Sequence, residues 1–255
     1  MTPEVPGRTR WKLRLEYDGR PFVGWQRQDS GRGVQQAVEE AVQALCGESA
    51  TVHAAGRTDS GVHALEQVAH VDLVKPLDGD TLRDALNHFL RHEPVAVLSA
   101  AAAPPDFHAR FSAVERGYLY RILNRRPPPA LDAGRVWWVP TALDAAAMQA
   151  GARHLIGHHD FTSFRASECQ AASPVKTLDS LEVVRHGAEI RITARARSFL
   201  HHQMRNIAGT LRLVGEGKWT PEDVRRALQA RRRSAAGPTA PAAGLYLTYV
   251  RYEDG

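Results

Sequence analysis

One acid stands beside a strong base in a glycine-framed turn, Gly56-Arg57-Thr58-Asp59-Ser60-Gly61. A carboxylate on a tight connection can point into a cleft, and glycines let backbone or ligand come close. Arg57 would favour the ionised form of Asp59 and keep it ready as a nucleophile or an electrostatic partner. The same spacing also suits a plain turn, with Asp59 capping backbone amides and Arg57 solvated. Spacing alone does not separate the two.

The elements that must hold this turn are legible on both sides. Residues 50–55 read as a short strand ahead of it. Residues 67–74 alternate apolar and polar behind it, as a second strand. Further out, residues 11–18 alternate as a first strand. Val34, Val38, Val42 and Leu45 share one helical face, which Gly47 stops. Leu82, Ala85, Leu86, Phe89 and Leu90 mark a second amphipathic helix, with Asp80 as its expected cap. A strand over 95–101 completes a βαββαβ order, the ferredoxin-like unit.

Pro104-Pro105 interrupts the chain and marks a boundary. Beyond it the pattern repeats more loosely. Residues 116–124 form a strand with alternating aromatics, and Pro127-Pro128-Pro129 forces a loop. A helix over 144–155 is followed by strands over 178–185 and 189–196. Helices over 198–214 and 221–230 and a strand over 245–252 finish the chain, the second of those helices opening on proline. The expectation is an α+β protein of two ferredoxin-like, RRM-like halves with mainly antiparallel sheets meeting at a central cleft. Residues 1–104 would carry the acid loop, and residues 105–255 would complete the cleft.

With 255 residues, 43% of them hydrophobic, the chain can bury a proper core. The net charge is +5, and the excess is largely arginine, whose planar fork suits phosphate and base edges. A basic balance permits nucleic-acid binding without requiring it. The two cysteines, Cys46 and Cys169, lack zinc-site or disulfide-framework spacing. Cys46 falls on an apolar helix face and is expected in the core. Such cysteine usage fits a reducing cytoplasm. The polar N-terminus, with Pro3 and Pro6, shows no apolar signal core, and no run reaches transmembrane length. A cytoplasmic protein with no membrane partner is expected.

The longer string from Ala54 to His63 (Ala54-Ala55-Gly56-Arg57-Thr58-Asp59-Ser60-Gly61-Val62-His63) resembles the catalytic loop of the tRNA pseudouridine synthase A family. Those enzymes modify positions 38, 39 and 40 of the tRNA anticodon stem-loop. Other matching segments follow in order: Glu16-Tyr17-Asp18-Gly19, Gly24-Trp25-Gln26-Arg27-Gln28, and Asp106-Phe107-His108-Ala109-Arg110-Phe111-Ser112. Then come Gly117-Tyr118-Leu119-Tyr120, Asp160-Phe161-Thr162-Ser163-Phe164-Arg165, and Phe199-Leu200-His201-His202-Gln203-Met204-Arg205-Asn206. Gly244-Leu245-Tyr246-Leu247 is the last. The resemblance covers nearly all the chain.

The resemblance implies that Asp59 is the nucleophile, attacking either the sugar anomeric carbon or the uracil ring. It implies that Arg57 fills the gap left by a flipped base, since a base in a stem must be extruded before chemistry. Arg205 would pair with the acid, Tyr118 would stack on uracil, and Leu245 would pack against its face. By residue type alone, Arg205 suits a helix surface, Leu245 a strand core, and Tyr118 and Tyr120 one strand face. For tRNA contact the resemblance implies two segments: Phe107, His108, Ala109, Arg110 and Phe111, and Glu168, Cys169, Gln170, Ala171 and Ala172. Arg126, before the proline loop, joins them. It also implies a homodimer, with tRNA as partner through its anticodon arm.

Isomerisation needs no electron or phosphoryl donor, so no cofactor is expected. Histidines cluster at His154, His158-His159 and His201-His202; the first three lack a carboxylate-rich helical motif and Gly157 interrupts them, and no metal is expected. Arg225-Arg226 and Arg231-Arg232-Arg233 suit a solvated face or a tRNA patch. Gly117, Gln203 and Ser60 depart from the family pattern. Gly117 puts one RNA contact in doubt and Gln203 alters local helix packing; none removes a group that carries chemistry. Two other readings compete. A non-catalytic RNA-binding protein would keep the basic surface but has no use for Asp59, Arg57 and Arg205 together. A glycoside hydrolase generally needs two carboxylates, and only one acid stands out.

Overall fold

A computed structural model describes residues 7–169 and 171–253; Pro3, Pro6 and Gln170 lie outside them. The chain forms two compact units, Met1–Val114 with Leu247–Gly255, and Glu115–Tyr246. The first unit therefore includes the Phe107-to-Phe111 segment and most of the last strand. No helix among the described residues is long and apolar enough to cross a membrane.

In the first unit, alternation decides which face of β1 (Thr9–Tyr17) is buried. Trp11, Leu13, Leu15 and Tyr17 point into the core, while Arg10, Lys12, Arg14 and Glu16 face the other way. Helix α1 (Val34–Cys46) buries Val34, Ala37, Val38, Ala41 and Val42. Gly47 takes the left-handed conformation at φ 72° and donates its N–H to Gln43 O at 2.8 Å, closing the helix. Cys46, expected in the core, is only half-buried because it sits in that last turn.

The strand expected over 50–55 shrinks to β2 (His53–Ala54), paired with His70 and Ala69 of β3 (His63–Leu73). β3 starts four residues before the alternation did. Its first four residues pair poorly with a period-two pattern, and residues 67–71 are buried on both faces. Helix α2 (Gly79–Leu90) packs against β4 (Val95–Ala103) and α1, burying Leu82, Leu86 and Leu90. Its cap is Asp78, not Asp80. The Asp78 carboxylate accepts the Thr81 N–H at 2.9 Å, whereas Asp80 lies inside the first turn and pairs with Arg83 at 2.7 Å. β1 is antiparallel to both β3 and β4, giving the order β4-β1-β3 with β2 on β3.

Strand β5 (Ala113–Leu123) leads into the second unit and carries Tyr118 and Tyr120. The short β6 (Trp137–Trp138) runs parallel to it. Helix α3 (Ala145–Arg153) is capped by Asp144, which accepts the Ala147 N–H at 2.9 Å. β7 (Gly157–Asp160) pairs with β8 (Val175–Leu178) as a separate ribbon. β6, β7 and β8 are short and half-exposed, and no alternation announces them. β9 (Ser180–His186) and β10 (Glu189–Ala196) form a hairpin, and β10 pairs with β5. α4 (Gln203–Gly215) and α5 (Pro221–Gln229) follow, and β11 (Leu245–Tyr252) ends the chain. α5 opens on a capping box between Thr220 and Asp223.

The helix expected from residue 198 begins only at Gln203. His202 takes a left-handed φ of 61°, and the Gln203 side-chain oxygen accepts the Leu200 N–H at 2.8 Å. Gln203, read as a change in helix packing, is buried and its side chain fixes the Leu200 backbone ahead of the helix. Farther along α4, a Cβ on Gly209 would lie 1.7 Å from Pro238 O, so only glycine lets the 237–240 loop cross there.

The cap assignment predicts an asymmetry. Asp78→Ala should lower unfolding free energy by about 1 kcal/mol, as losing an N-cap does. Asp80→Ala should change it by less than about 0.5 kcal/mol, as for an exposed ion pair. Denaturant midpoints compare them, and equal losses would contradict the cap.

Candidate active site

Two neighbouring strands of chain clamp the acid turn through its backbone. Gly24 and Asp59 form an isolated antiparallel bridge, and Trp25 N–H donates to Thr58 O at 3.0 Å. Val62 N–H donates to Asp59 O at 3.1 Å and closes the turn, with Gly61 left-handed at φ 76°. Ser60 Oγ reaches Phe22 O at 3.3 Å. Gly24 itself has φ 121°, and a Cβ there would stand 2.7 Å from Thr58 O. A Cβ on Gly19 would stand 2.0 Å from Val62 O. Both glycines are needed because main chain passes over main chain.

Beneath the turn lies a buried polar group. Tyr17 Oη and Thr58 Oγ1 are 2.8 Å apart, and Gln67 Nε2 donates to Gly56 O at 2.8 Å. Burial pushes the Tyr17 hydroxyl up to about 12, so it stays a neutral hydrogen-bonding group. Gly19 N–H donates to His63 Nδ1 at 3.1 Å. Asp59 is left half-buried and Arg57 exposed beside it. The segments Glu16-Tyr17-Asp18-Gly19 and Gly24-Trp25 therefore build the acid turn's support. The sequence showed them as motifs without a role.

The second unit brings together its own set. Tyr118 is half-buried, and its ring meets Phe199 edge-on at 4.8 Å. Tyr120, two residues on, is fully buried and donates to Pro241 O at 2.7 Å. Burial raises its pKa well above the usual phenol, with Arg205 acting weakly the other way. Arg205 lies in the first turn of α4, half-buried, and its Nε donates to Ala240 O at 2.8 Å. Ala240 N–H returns a bond to Arg205 O at 3.0 Å. Leu245 is 6% exposed at the start of β11. The preceding Gly244 lies against Tyr120, whose ring a Cβ would meet at 2.8 Å.

Of the segments expected to contact RNA, residues 107–111 are the more built. Ala109 is buried; its N–H donates to His70 Nδ1 at 3.2 Å and its carbonyl accepts from Tyr252 Oη at 2.7 Å. Phe107 packs on Tyr252, with Lys12 Nζ 5.4 Å from the Phe107 ring. Arg10 ties the segment down from β1 through Pro105 O and Phe107 O at 2.6 and 2.8 Å. Phe111 remains 71% exposed, with Arg110 over its ring. Glu168 is exposed and accepts from Ser167 Oγ; Cys169 and Ala171 are half-buried, Ala172 exposed, and Arg126 exposed after β5.

The other basic and histidine clusters have local work. Arg225 pairs with Glu222, Arg226 with Asp223, and Arg231 lies 3.7 Å from Asp160. Arg233 turns inward to Gly237 O, Asn206 Oδ1 and Thr239, and burial lowers its pKa. His158 meets Thr177 Oγ1, and His159 meets Ile156 O.

Residues 15–112 and 152–253 match the family model described as tRNA pseudouridine synthase. A tRNA pseudouridine synthase A from Paramagnetospirillum magneticum is 65% identical over 243 residues, 95% of each chain. One from Rhodospirillum centenum is 65% identical over 243 residues, covering 95% of this chain and 99% of its own. Among solved structures, a chain of a Cbf5-Nop10-Gar1 complex aligns with TM-score 0.38 and 11% identity, over 94% of this chain and 50% of that one. A likeness that low carries no argument.

His70 yields a pH prediction. It is 3% exposed, and burial, helped by His108, Arg10 and His53, pushes its pKa down to about 4 from 6.5. Between those values the unfolded chain binds the extra proton. The stability His70 contributes is thus complete above pH 6.5 and lost as pH falls toward 4. His70→Gln keeps an acceptor for Ala109 and removes the titration. Its stability should fall less than that of the wild type between pH 7 and 4 in denaturant titrations. Parallel curves would contradict the buried neutral ring.

Proposed function

The chain belongs to the tRNA pseudouridine synthase family, and we propose that it isomerises uridine at positions 38, 39 and 40 of the tRNA anticodon arm, with Asp59 as nucleophile. The conversion of uridine to pseudouridine in tRNA is the family's reaction. The observation that carries Asp59's role is the backbone clamp, which holds one half-buried acid on a turn closed by Gly24, Gly61 and the Tyr17–Thr58 bond. A plain solvated turn has no need of it.

The reaction breaks the bond from uracil N1 to the ribose anomeric carbon and forms a bond from uracil C5 to that carbon. The C5 proton leaves and N1 gains one, so atoms and electrons balance with no cofactor. Asp59 attacks ribose or uracil and is released when the new bond closes. Tyr118 stacks on the base, Leu245 packs against its face, and Arg205 pairs with the acid. Arg57 occupies the space of the extruded base.

We extend the reading to the fold and the partners. The first unit's strand order, β4-β1-β3 with β2 on β3, supports a ferredoxin-like half. In the second unit, β5, α3, β9, β10 and α4 follow a similar course. Phe107, His108, Ala109, Arg110, Phe111, Arg126, Glu168, Cys169, Gln170, Ala171 and Ala172 contact tRNA. The protein works as a homodimer in the cytoplasm.

Asp59→Asn keeps the side chain's size and removes the attacking carboxylate. Pseudouridine formation should drop by on the order of a million-fold, as on removal of another enzyme's nucleophile. Binding of transcribed tRNA should be largely retained. Mapping pseudouridine at single-nucleotide resolution reads both the loss and the target positions; near-normal turnover would sink the mechanism.

Arg57→Ala separates base extrusion from electrostatics. It should convert a paired target uridine poorly and recover part of the loss when the target is already unpaired, since extrusion then costs less. Equal defects on the two substrates would remove Arg57 from the flipping step.

A further inference from the structure

A cavity of about 360 Å³ opens in the first unit, lined by Arg8, Arg10, His53, His70, Asp72 and His108 among others. The cross-strand pair His53 and His70 stacks at 5.0 Å, and the His108 ring lies 4.6 Å from His70 and 5.9 Å from His53. The site described above uses neither His53 nor Arg8, while His108 on the cavity wall belongs to the 107–111 segment read as a tRNA contact.

Hydrogen bonding fixes what the cavity can accept. His70 Nδ1 takes the Ala109 N–H, and His108 Nδ1 takes the Arg110 N–H at 3.1 Å. A lone pair used in this way places the ring proton on Nε2, so both neutral imidazoles offer a donor. The one carboxylate, Asp72, is held by a bidentate bond from Arg10 at 2.7 Å on each arm. Arg8 adds an exposed guanidinium at the rim. Formal charge is therefore positive: Arg8 is added to the neutral Arg10–Asp72 pair. The Nδ1 lone pairs that a cation would need are spent on backbone. The cavity is built for an anion.

We propose that this cavity receives a backbone phosphate of the RNA strand, at a subsite separate from the acid turn. The inference rests on the tRNA reading above. Two neighbours favour an RNA phosphate over a free one. Phe111, with its exposed ring, and Arg110 lie on the same segment as His108 and offer stacking and charge beside the cavity. His53 lies six residues before Asp59, so extended chain puts the two within about 20 Å. One strand can thus span both.

The test is tRNA affinity across a sodium chloride series at fixed pH, for wild type and for the Arg8→Ala/His53→Ala double variant. Both side chains are exposed, so the variant should fold, and a thermal melt checks it. Losing one phosphate contact should weaken binding by about tenfold at low salt and flatten the salt slope by about one. The single-turnover rate at saturating tRNA should not change. Arg8→Lys should restore most of the affinity, and Arg8→Glu alone should weaken binding if the double variant misfolds. Unchanged affinity and slope would overturn the proposal, as would a slower chemical step at unchanged affinity. In a second arm, inorganic phosphate is titrated while histidine ring resonances are followed. Shifts at His53 or His108 with wild-type tRNA binding in the double variant would mark an anion pocket that RNA does not use, and would also overturn it. Wild-type product mapping on the same tRNA is read separately. Its failure would strike the function, whereas the salt slope judges the cavity.

Discussion

Everything around Asp59 depends on main chain lying against main chain. The Gly19 and Gly24 segments approach the acid turn so closely that a single Cβ would reach 2.0 Å from Val62 O or 2.7 Å from Thr58 O. Such contact leaves no room for a side chain to adjust, and it brings polar backbone groups together away from water. Those groups must be paired there, because an unpaired buried donor or acceptor costs about 1–3 kcal/mol. The Gly24–Asp59 bridge, the Trp25 N–H to Thr58 O bond and the Tyr17–Thr58 contact do that pairing. These bonds hold the turn, and with it the main chain of Asp59, in one place.

The second unit solves a similar problem with a different device. α4 cannot begin at residue 198 because His202 is left-handed, and that kink sets where the first helical turn points. The buried Gln203 side chain holds the Leu200 N–H ahead of the helix, and Arg205 follows two residues later. The Arg205–Ala240 exchange of bonds then ties the arginine's backbone and Nε to the 237–240 loop. Asn206 extends this tie, donating to Phe164 O and accepting from Arg233 and Thr239. Much of the conspicuous arginine run is therefore structural: Arg233 braces this loop, and Arg225 and Arg226 pair within α5.

How much of this was legible follows from periodicity. β1, α1, α2 and β10 were readable because each buries one face and leaves the other wet, so the pattern of types repeats. β6, β7 and β8 were not, being two to four residues long, and β2 is shorter than the strand expected over 50–55. The cap of α2 was missed by two residues because Asp78 and Asp80 are chemically alike and only the Thr81 N–H distinguishes them. For the site, Asp59 stood out as the acid of a long motif. Tyr17 and Gln67 did not, since an inward tyrosine on a strand looks the same whether it fills space or holds a turn.

Charge count and charge placement also part company here. A net charge of +5 permits an RNA partner, yet most individual arginines have an acid or a carbonyl at hand. On β1 the residues Arg10, Lys12 and Arg14 form an outward row of positive charge. In three dimensions Arg10 is taken by Asp72, Arg14 by Glu66, and Lys12 lies over the rings of Tyr252 and Phe107. Arg10 and Lys12 anchor the 105–111 segment, whereas Arg14 pairs only with Glu66. Exposed pairs of this kind are worth little each, about 0–1 kcal/mol, so their value is positional. What they position is Phe111, Arg110 and a cavity in which burial lowers the pKa of His70 and His108. In the proposed tRNA reading, such a surface would draw specificity from where donors and rings are fixed, and only its long-range attraction from net charge.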